Sequence, residues 1–302
     1  MQQYSYRDVL AASERISWRV EDLIGGERQL DFARPFLPEA LARVAPLDFL
    51  SADEQRTLNQ IRGHGYLYTF GLVEEFILPF VMDHAREDLD GDDYRTQALL
   101  RFAAEEAKHI HLFREFRSAF RRDFGHDCQV IGPPEAIAEH VLSHRPFAVA
   151  LLILHIEWMT QGHYVESVRD DRNLDPQFKS LLKHHWMEET QHAKLDTLMV
   201  ERMAADLTAQ EIAAAVDEYM AIGGFFDEGL RAQVDFDRDA FERATGRTLN
   251  AAEAERFVAV QHQAQRWTYI GSGMTHANVL RTLEHVAPAL RPRVEDAAQA
   301  FC

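Results

Sequence analysis

The chain has 302 residues, 46% of them hydrophobic, enough to bury a large core as one domain or two. Its 32 basic and 49 acidic side chains leave a formal charge of -17, and the isoelectric point is near 5.3. This balance opposes binding to a polyanion and leaves no basic stripe for nucleic acid. No apolar run has the length of a membrane span and Met1 to Arg7 shows no signal-peptide pattern, so a soluble cytoplasmic protein is expected.

Residues 1 to 54 read as a capping segment. Val9, Leu10, Ile16, Trp18 and Val20 support a short helix within Tyr4 to Leu23, which Gly25-Gly26 ends. Pro35, Pro38 and Pro46 punctuate the stretch that follows. Its Phe32, Phe36, Leu37, Leu41, Val44, Leu47 and Phe49 are too apolar for a free linker, so it is expected to lie against the outside of a helical core. Ser51-Ala52-Asp53-Glu54 has the form of a capping box and opens a long helix to about Arg86. At its centre two adjacent carboxylates, Glu74 and Glu75, sit among Leu67, Phe70, Val73, Phe76, Ile77 and Leu78. An ionised carboxylate in a dry core is costly unless paired or bound to a cation, so one of the two needs a partner.

Asp90-Gly91-Asp92-Asp93 makes a turn into a second helix, about Tyr94 to Phe124, which carries Glu105-Glu106-Ala107-Lys108-His109. Residues three apart project from one face of a helix, so Glu106 and His109 have the spacing of a metal-ligand pair. Gly125 to Pro134 is a connection, and Cys128 within it and Cys302 are too few for a disulfide framework. A third helix, Pro146 to about Arg172, holds Glu157 as the one carboxylate in a nearly wholly apolar run. Asp175-Pro176 starts the fourth. It repeats the motif as Glu188-Glu189-Thr190-Gln191-His192, with His185 one turn earlier on the same stripe as Glu189.

Beyond it, Ala213 to Phe226 is expected to be helical with Gly223-Gly224 at its end or bend, Asp235 to Asp239 to form an acidic loop, and Ala251 to Val286 to form one helix. Gly271, Gly273, Thr275 and His276 within that helix suit close packing better than a substrate channel, and Gly271-Ser272-Gly273 is too short for a nucleotide fingerprint. Pro288 and Pro292 close the fold before a short polar tail.

A lone Glu-x-x-His arises often on charged surface helices. Two copies, each preceded by a second acidic residue and each alternating with a helix that holds an isolated Glu, do not. The order Glu, Glu-x-x-His, Glu, Glu-x-x-His is the pattern of dimetal carboxylate bundles. Four carboxylates also balance two divalent cations, whereas without metal they would be a cluster of like charges. Glu106, His109, Glu157, Glu189 and His192 follow directly as candidate ligands. Glu74 and Glu75 remain alternatives. Glu74 lies in the more apolar stripe and 32 residues before Glu106, the spacing of Glu157 to Glu189. Glu75 precedes an aromatic residue, as Glu157 does, and shares its stripe with Gly71, so the local match ranks it slightly ahead. Glu105 and Glu188 are expected to be solvated acids more than partners of the ligands.

Over about Gln55 to Ala205 the chain resembles the bacterial di-iron oxygenases of the ferritin-like superfamily. The resemblance implies an all-α fold in a single domain of residues 1 to 302: a capping segment at 1 to 54, a four-helix dimetal core at 55 to 205, and peripheral helices at 206 to 302. It implies two iron ions, with manganese possible, and dioxygen as co-substrate. Ribonucleotide reductase small subunits place a radical Tyr four residues after the first motif's His, where this chain has Phe113. Acyl-carrier-protein desaturases share the paired motifs and would need a basic patch such as Arg114, Arg117, Arg121 and Arg122. The p-aminobenzoate N-oxygenase type is similar in its additional His, which here is His185; the first motif has Phe102 at the equivalent place. That implies a third imidazole ligand, the alternative being a packed or solvent-facing histidine.

The expected activity is O2-dependent oxygenation of a small organic substrate, by N-oxygenation or hydroxylation ahead of desaturation. The alternatives are a desaturase-like oxidase and a non-enzymatic dimetal-binding or redox-sensing bundle. Expected partners are the small-molecule substrate, an external electron donor (a reductase or small ferredoxin) and a second copy in a homodimer. Neither nucleic acid nor membrane is expected.

Overall fold

The computed structural model describes residues 4–86, 89 and 91–302; Asp90 of the expected turn, and Met1 to Gln3, lie outside them. Helices follow in the order α1 (Tyr6–Ser13), α2 (Glu39–Ala42), α3 (Ala52–Arg86), α4 (Asp93–Phe124), α5 (Pro134–Leu142), α6 (Pro146–His163), α7 (Pro176–Ala205), α8 (Ala209–Thr245), α9 (Ala251–Arg266), α10 (Ser272–Met274), α11 (Ala277–Val286) and α12 (Arg291–Ala298). The fold is all-α, and among the described residues there is no strand. Local chemistry places the starts. Ser51 and Glu54 exchange the two bonds of a capping box ahead of α3, Asp92 caps α4, and Asp175 with Pro176 opens α7.

α3, α4, α6 and α7 form a four-helix core. α3 and α4 run antiparallel: His64 meets Phe120, Tyr68 meets Arg117, and Phe70 meets Phe113. α6 and α7 repeat this, with Trp158 bonded to Thr197, Gln161 to Thr190, and Tyr164 stacked on Trp186. α6 is apolar all round and buried on every side, which makes it the central helix. α3 is long and apolar enough by composition to cross a membrane, but its apolar stretch is mostly buried in the core. Pro79 lies within α3, which continues past it.

The N-terminal segment packs on this core as expected. Phe36 stacks on Phe178 at 5.0 Å, and the Asn59 side chain accepts from the Phe36 and Leu37 amides while donating to the Leu37 carbonyl. Three later expectations are corrected. α8 runs unbroken through Gly223-Gly224, and Asp235 to Asp239 is helical. There Asp235 pairs with Arg231 and Arg238 one turn away on either side, while Asp237 turns inward to Gln233, Gln265 and Arg62. Intrahelical pairing and burial, not a loop, account for the acidic run.

The expected single helix 251–286 is broken. A π-helical turn, Trp267–Gly271, separates α9 from α10, and His276 then caps α11 by accepting from the Asn278 amide. A Cβ on Gly273 would lie 2.0 Å from the His155 ring, and one on Gly271 2.6 Å from the Phe301 carbonyl oxygen, so both glycines serve close packing. The polar tail is also corrected: α12 buries Val294 and Ala298.

Candidate dimetal site

Each core helix brings its acid or motif to one place. Glu74 comes from α3, Glu106 and His109 from α4, Glu157 from α6, and His185, Glu189 and His192 from α7; all seven side chains are buried. His109 Nδ1 lies 3.0 Å from Glu189 Oε1, and His185 Nε2 lies 2.7 Å from that oxygen and 3.0 Å from Glu74 Oε1. His192 Nδ1 lies 2.9 Å from Glu106 Oε1 and 3.1 Å from Glu189 Oε2. The donors form two overlapping groups, Glu74/His109/His185/Glu189 and Glu106/His109/Glu189/His192. Glu189 turns one oxygen to each, so this carboxylate is shared by the two groups. Glu157 completes the cluster from the α6 side, where it hydrogen-bonds Glu189.

The lean toward Glu75 is reversed. Glu75 points away from the cluster and pairs with Arg114 at 2.6 Å, while Glu74 takes the inward place. One residue is a turn of about 100° on a helix, and the Glu74 stripe is the one that faces the core. The apolar surroundings were therefore a better guide than the local match to Glu157.

Glu105 and Glu188 are corrected as well, since both are buried and bound to the site. Glu105 Oε2 accepts from His192 Nε2 at 3.0 Å, and Glu188 Oε2 accepts from His109 Nε2 at 2.8 Å. The first acid of each motif thus holds the histidine of the other. Ser13 and Arg101 brace Glu105, and Lys108 braces Glu188. These bonds keep a proton on Nε2 of each imidazole and leave Nδ1 facing the cluster, the arrangement by which an outer carboxylate orients a metal-bound histidine. The doubled Glu at the head of each motif was the signal that could have found them.

Trp18 carried no such signal. It lies parallel to His109 at 5.9 Å with Lys108 Nζ 3.9 Å from its ring, so the capping segment closes the site. Asp196, one turn beyond His192, is a further buried acid that the sequence did not single out, and burial raises its pKa well above the usual range.

The electrostatics are those of a site built for cations. Burial and the neighbouring Glu106 push Glu74 up to about 8. Burial and Glu189 likewise raise Glu106 and Glu157. Burial also opposes ionisation of Glu189, but His185 and His192 outweigh it and hold that carboxyl well below its usual range. Burial alone would lower His109 and His192; the Glu188 hydrogen bond raises His109, and the charge of Glu189 together with the Glu105 hydrogen bond raises His192. Glu74 Oε2, both oxygens of Glu106, His109 Nδ1, Glu157 Oε2 and Glu189 Oε1 have no hydrogen-bond partner despite complete burial. So many orphaned acceptors aimed at one point are costly unless a cation receives them. An oxygen and imidazole donor set with four carboxylates fits two divalent ions such as iron or manganese.

The outer carboxylates give a first prediction. Glu188→Ala should weaken metal binding by about 10–100-fold while the inner donors remain. Equilibrium titration of the metal-free protein with Fe2+ under nitrogen measures this, and unchanged affinity would refute the orienting role.

The neighbouring residues bear on the chemistry. Phe113 packs edge-on to His185 at 5.0 Å, so no phenol occupies that position. The arginines considered for a carrier-protein surface are partly committed: Arg114 to Glu75, Arg122 to Asp123, and Arg117 over the Tyr68 ring.

No family model matches the chain, and no curated protein matches it. Among solved structures it is similar to variants of an R2-like ligand-binding oxidase. One, with an aerobically reconstituted Mn/Fe cofactor, has 15% identity and a TM-score of 0.47 over 88% of this chain and 94% of that one. Another, with an anaerobically reconstituted Mn/Fe cofactor, has 14% identity and a TM-score of 0.45 over 88% and 93%.

Proposed function

We propose that the chain is a dimetal, O2-dependent oxygenase acting on a small organic substrate, by N-oxygenation of an amine or by hydroxylation, of the p-aminobenzoate N-oxygenase type. The observation that carries this reading is the set of buried carboxylate and imidazole atoms without hydrogen-bond partners, converging from four helices. Glu74, Glu106, His109, Glu157, Glu189, His192 and His185 would hold two iron ions, with manganese the alternative. When bound, the metals supply the redox chemistry of dioxygen activation.

The chain's own part is positioning and exclusion. Glu105 and Glu188 hold the two motif imidazoles in the ligating tautomer, and Trp18 shields His109. His185 adds a neutral donor on the Glu74 side without altering the charge balance. Phe70, Val73, Ile156, Met159 and Phe226 line a small apolar cavity between α3, α6 and α8, with Thr69 and Tyr269 as polar groups. Val73 and Ile156 directly precede Glu74 and Glu157, so the helices that wall this cavity also carry two of the donors. Electrons would come from an external reductase or ferredoxin.

The test is anaerobic loading with Fe2+ followed by exposure to O2. Binding of two ions per chain and prompt oxygen consumption are expected; a ferrous protein stable in air would end the oxygenase reading. His185→Ala should slow oxygen consumption at least about tenfold while one or both ions stay bound, because the other donors of its group remain. Full activity in that variant would make His185 a packing residue.

A further inference from the structure

Among the described residues, two buried phenol–imidazole pairs lie outside the donor cluster, and both use histidines of α6. Tyr219 Oη is 2.7 Å from His155 Nδ1, and Tyr66 Oη is 3.3 Å from His163 Nδ1. The hydrogen bonds fix which nitrogen carries the proton. Ser272 donates its hydroxyl hydrogen to the Thr268 carbonyl at 3.1 Å, so its oxygen is left to accept from His163 Nε2 at 3.0 Å. His163 Nδ1 is therefore the unprotonated nitrogen, and Tyr66 donates to it. The π-helical turn at 267–271 builds this arrangement by bringing Thr268 and Ser272 over α6, and such turns recur at functional sites.

The two pairs differ in their reach toward the site. Tyr66 lies 4.5 Å from Phe70 between ring centroids, and Phe70 lies 5.6 Å from His185. A continuous aromatic path thus joins this phenol to a candidate metal ligand. His163 is held neutral by burial, which pushes its pKa down to about 3, and burial keeps the Tyr66 phenol protonated. A phenol becomes a strong acid on losing an electron, so a neutral base already bonded to it lowers the barrier to its oxidation.

We propose that Tyr66 is a one-electron donor to the dimetal centre after dioxygen has oxidised it, with His163 Nδ1 taking the phenolic proton. This rests on the O2-dependent reading above. In the step the Tyr66 O–H bond breaks. The electron passes by way of Phe70 to the metals, which are reduced by one electron, and the proton moves to Nδ1. The products are a neutral phenoxyl radical and an imidazolium whose Nε2–H still faces Ser272. An electron from the external reductant, with return of the proton from Nδ1, restores the phenol. The pair thus returns one electron to the oxidised centre when no substrate is bound.

The test is rapid-freeze electron paramagnetic resonance on the Fe2+-loaded protein mixed with O2 without substrate. A tyrosyl signal that narrows with ring-deuterated tyrosine is expected in the unsubstituted protein. It should be lost in Tyr66→Phe, which keeps the ring packing, and fall several-fold in His163→Gln, with metal content and circular dichroism unchanged in both. Oxygen consumption without a tyrosyl signal, or a signal that survives Tyr66→Phe, overturns this inference alone. Absence of oxygen consumption overturns it together with the proposed function.

Discussion

Glu74→Ala should release one of the two metal ions, whereas Glu75→Ala should leave both in place. Glu74 is buried and holds His185 Nε2 at 3.0 Å, within the group that also contains His109 and Glu189. Removing it takes away the only α3 carboxylate in the cluster, leaving one ion short of a donor and of a balancing charge. The loss of affinity at that position should exceed the roughly 10–100-fold expected for losing an outer carboxylate. Glu75 makes an ion pair with Arg114 at the surface. Such pairs contribute about 0–1 kcal/mol, so Glu75→Ala should shift stability slightly and metal content not at all. Metal analysis after dialysis decides between the two, and two ions retained in Glu74→Ala would refute the assignment.

Metal removal should have the second large effect, and it should reverse the dependence of stability on pH. Ions bound only by the folded chain add about 4 kcal/mol per site when free metal exceeds the dissociation constant about 1,000-fold. At about 1.6 °C per kcal/mol for a chain of 302 residues, chelation should lower the thermal midpoint by roughly 6 °C per site.

For the metal-free protein the sign follows from the raised carboxyls. Glu74 moves up to about 8 from an unfolded value of 4.5, and Glu106 and Glu157 are raised too. A group whose folded pKa lies above its unfolded one gives stability that is complete below the unfolded value and lost as pH rises through the folded one. For Glu74 that window runs from about 4.5 to about 8. His109 and His192, also raised, act in the same direction above 6.5. Glu189, held low, contributes a constant amount across this window.

With chelator present, urea denaturation should therefore show greater stability near pH 5.5 than near pH 8.5. The metal-loaded protein should show the opposite trend, because binding requires the donors to lose their protons. Parallel trends in the two forms would mean that the buried acids do not share a metal site.

The sequence by itself determined the bundle and most of the donor set. Apolar periodicity, the Ser51 and Asp175 starts and the repeated Glu-x-x-His spacing are local properties of the chain, expressed within one or two helical turns. They were enough to locate four core helices and to bring Glu106, His109, Glu157, Glu189 and His192 forward together. What remained depended on how helices far apart in the chain face one another. Glu74 and Glu75 differ by about 100° of rotation, and only the docking of α4 and α7 on α3 gives one to the cluster and the other to Arg114. Glu105 and Glu188 look like surface acids until each meets the histidine of the other motif, more than 75 residues away in the chain.

The acidic run in α8 and the interrupted helix after Ala251 belong to the same class. Asp237 is satisfied by Gln265 and Arg62 from other helices, and Gly273 gives way to the ring of His155. A hydrogen bond or a close packing contact between distant segments leaves no periodic trace in either one. The residues that tune the centre and shield it were therefore decided by the tertiary structure, while the residues that offer to bind it were already visible in order along the chain.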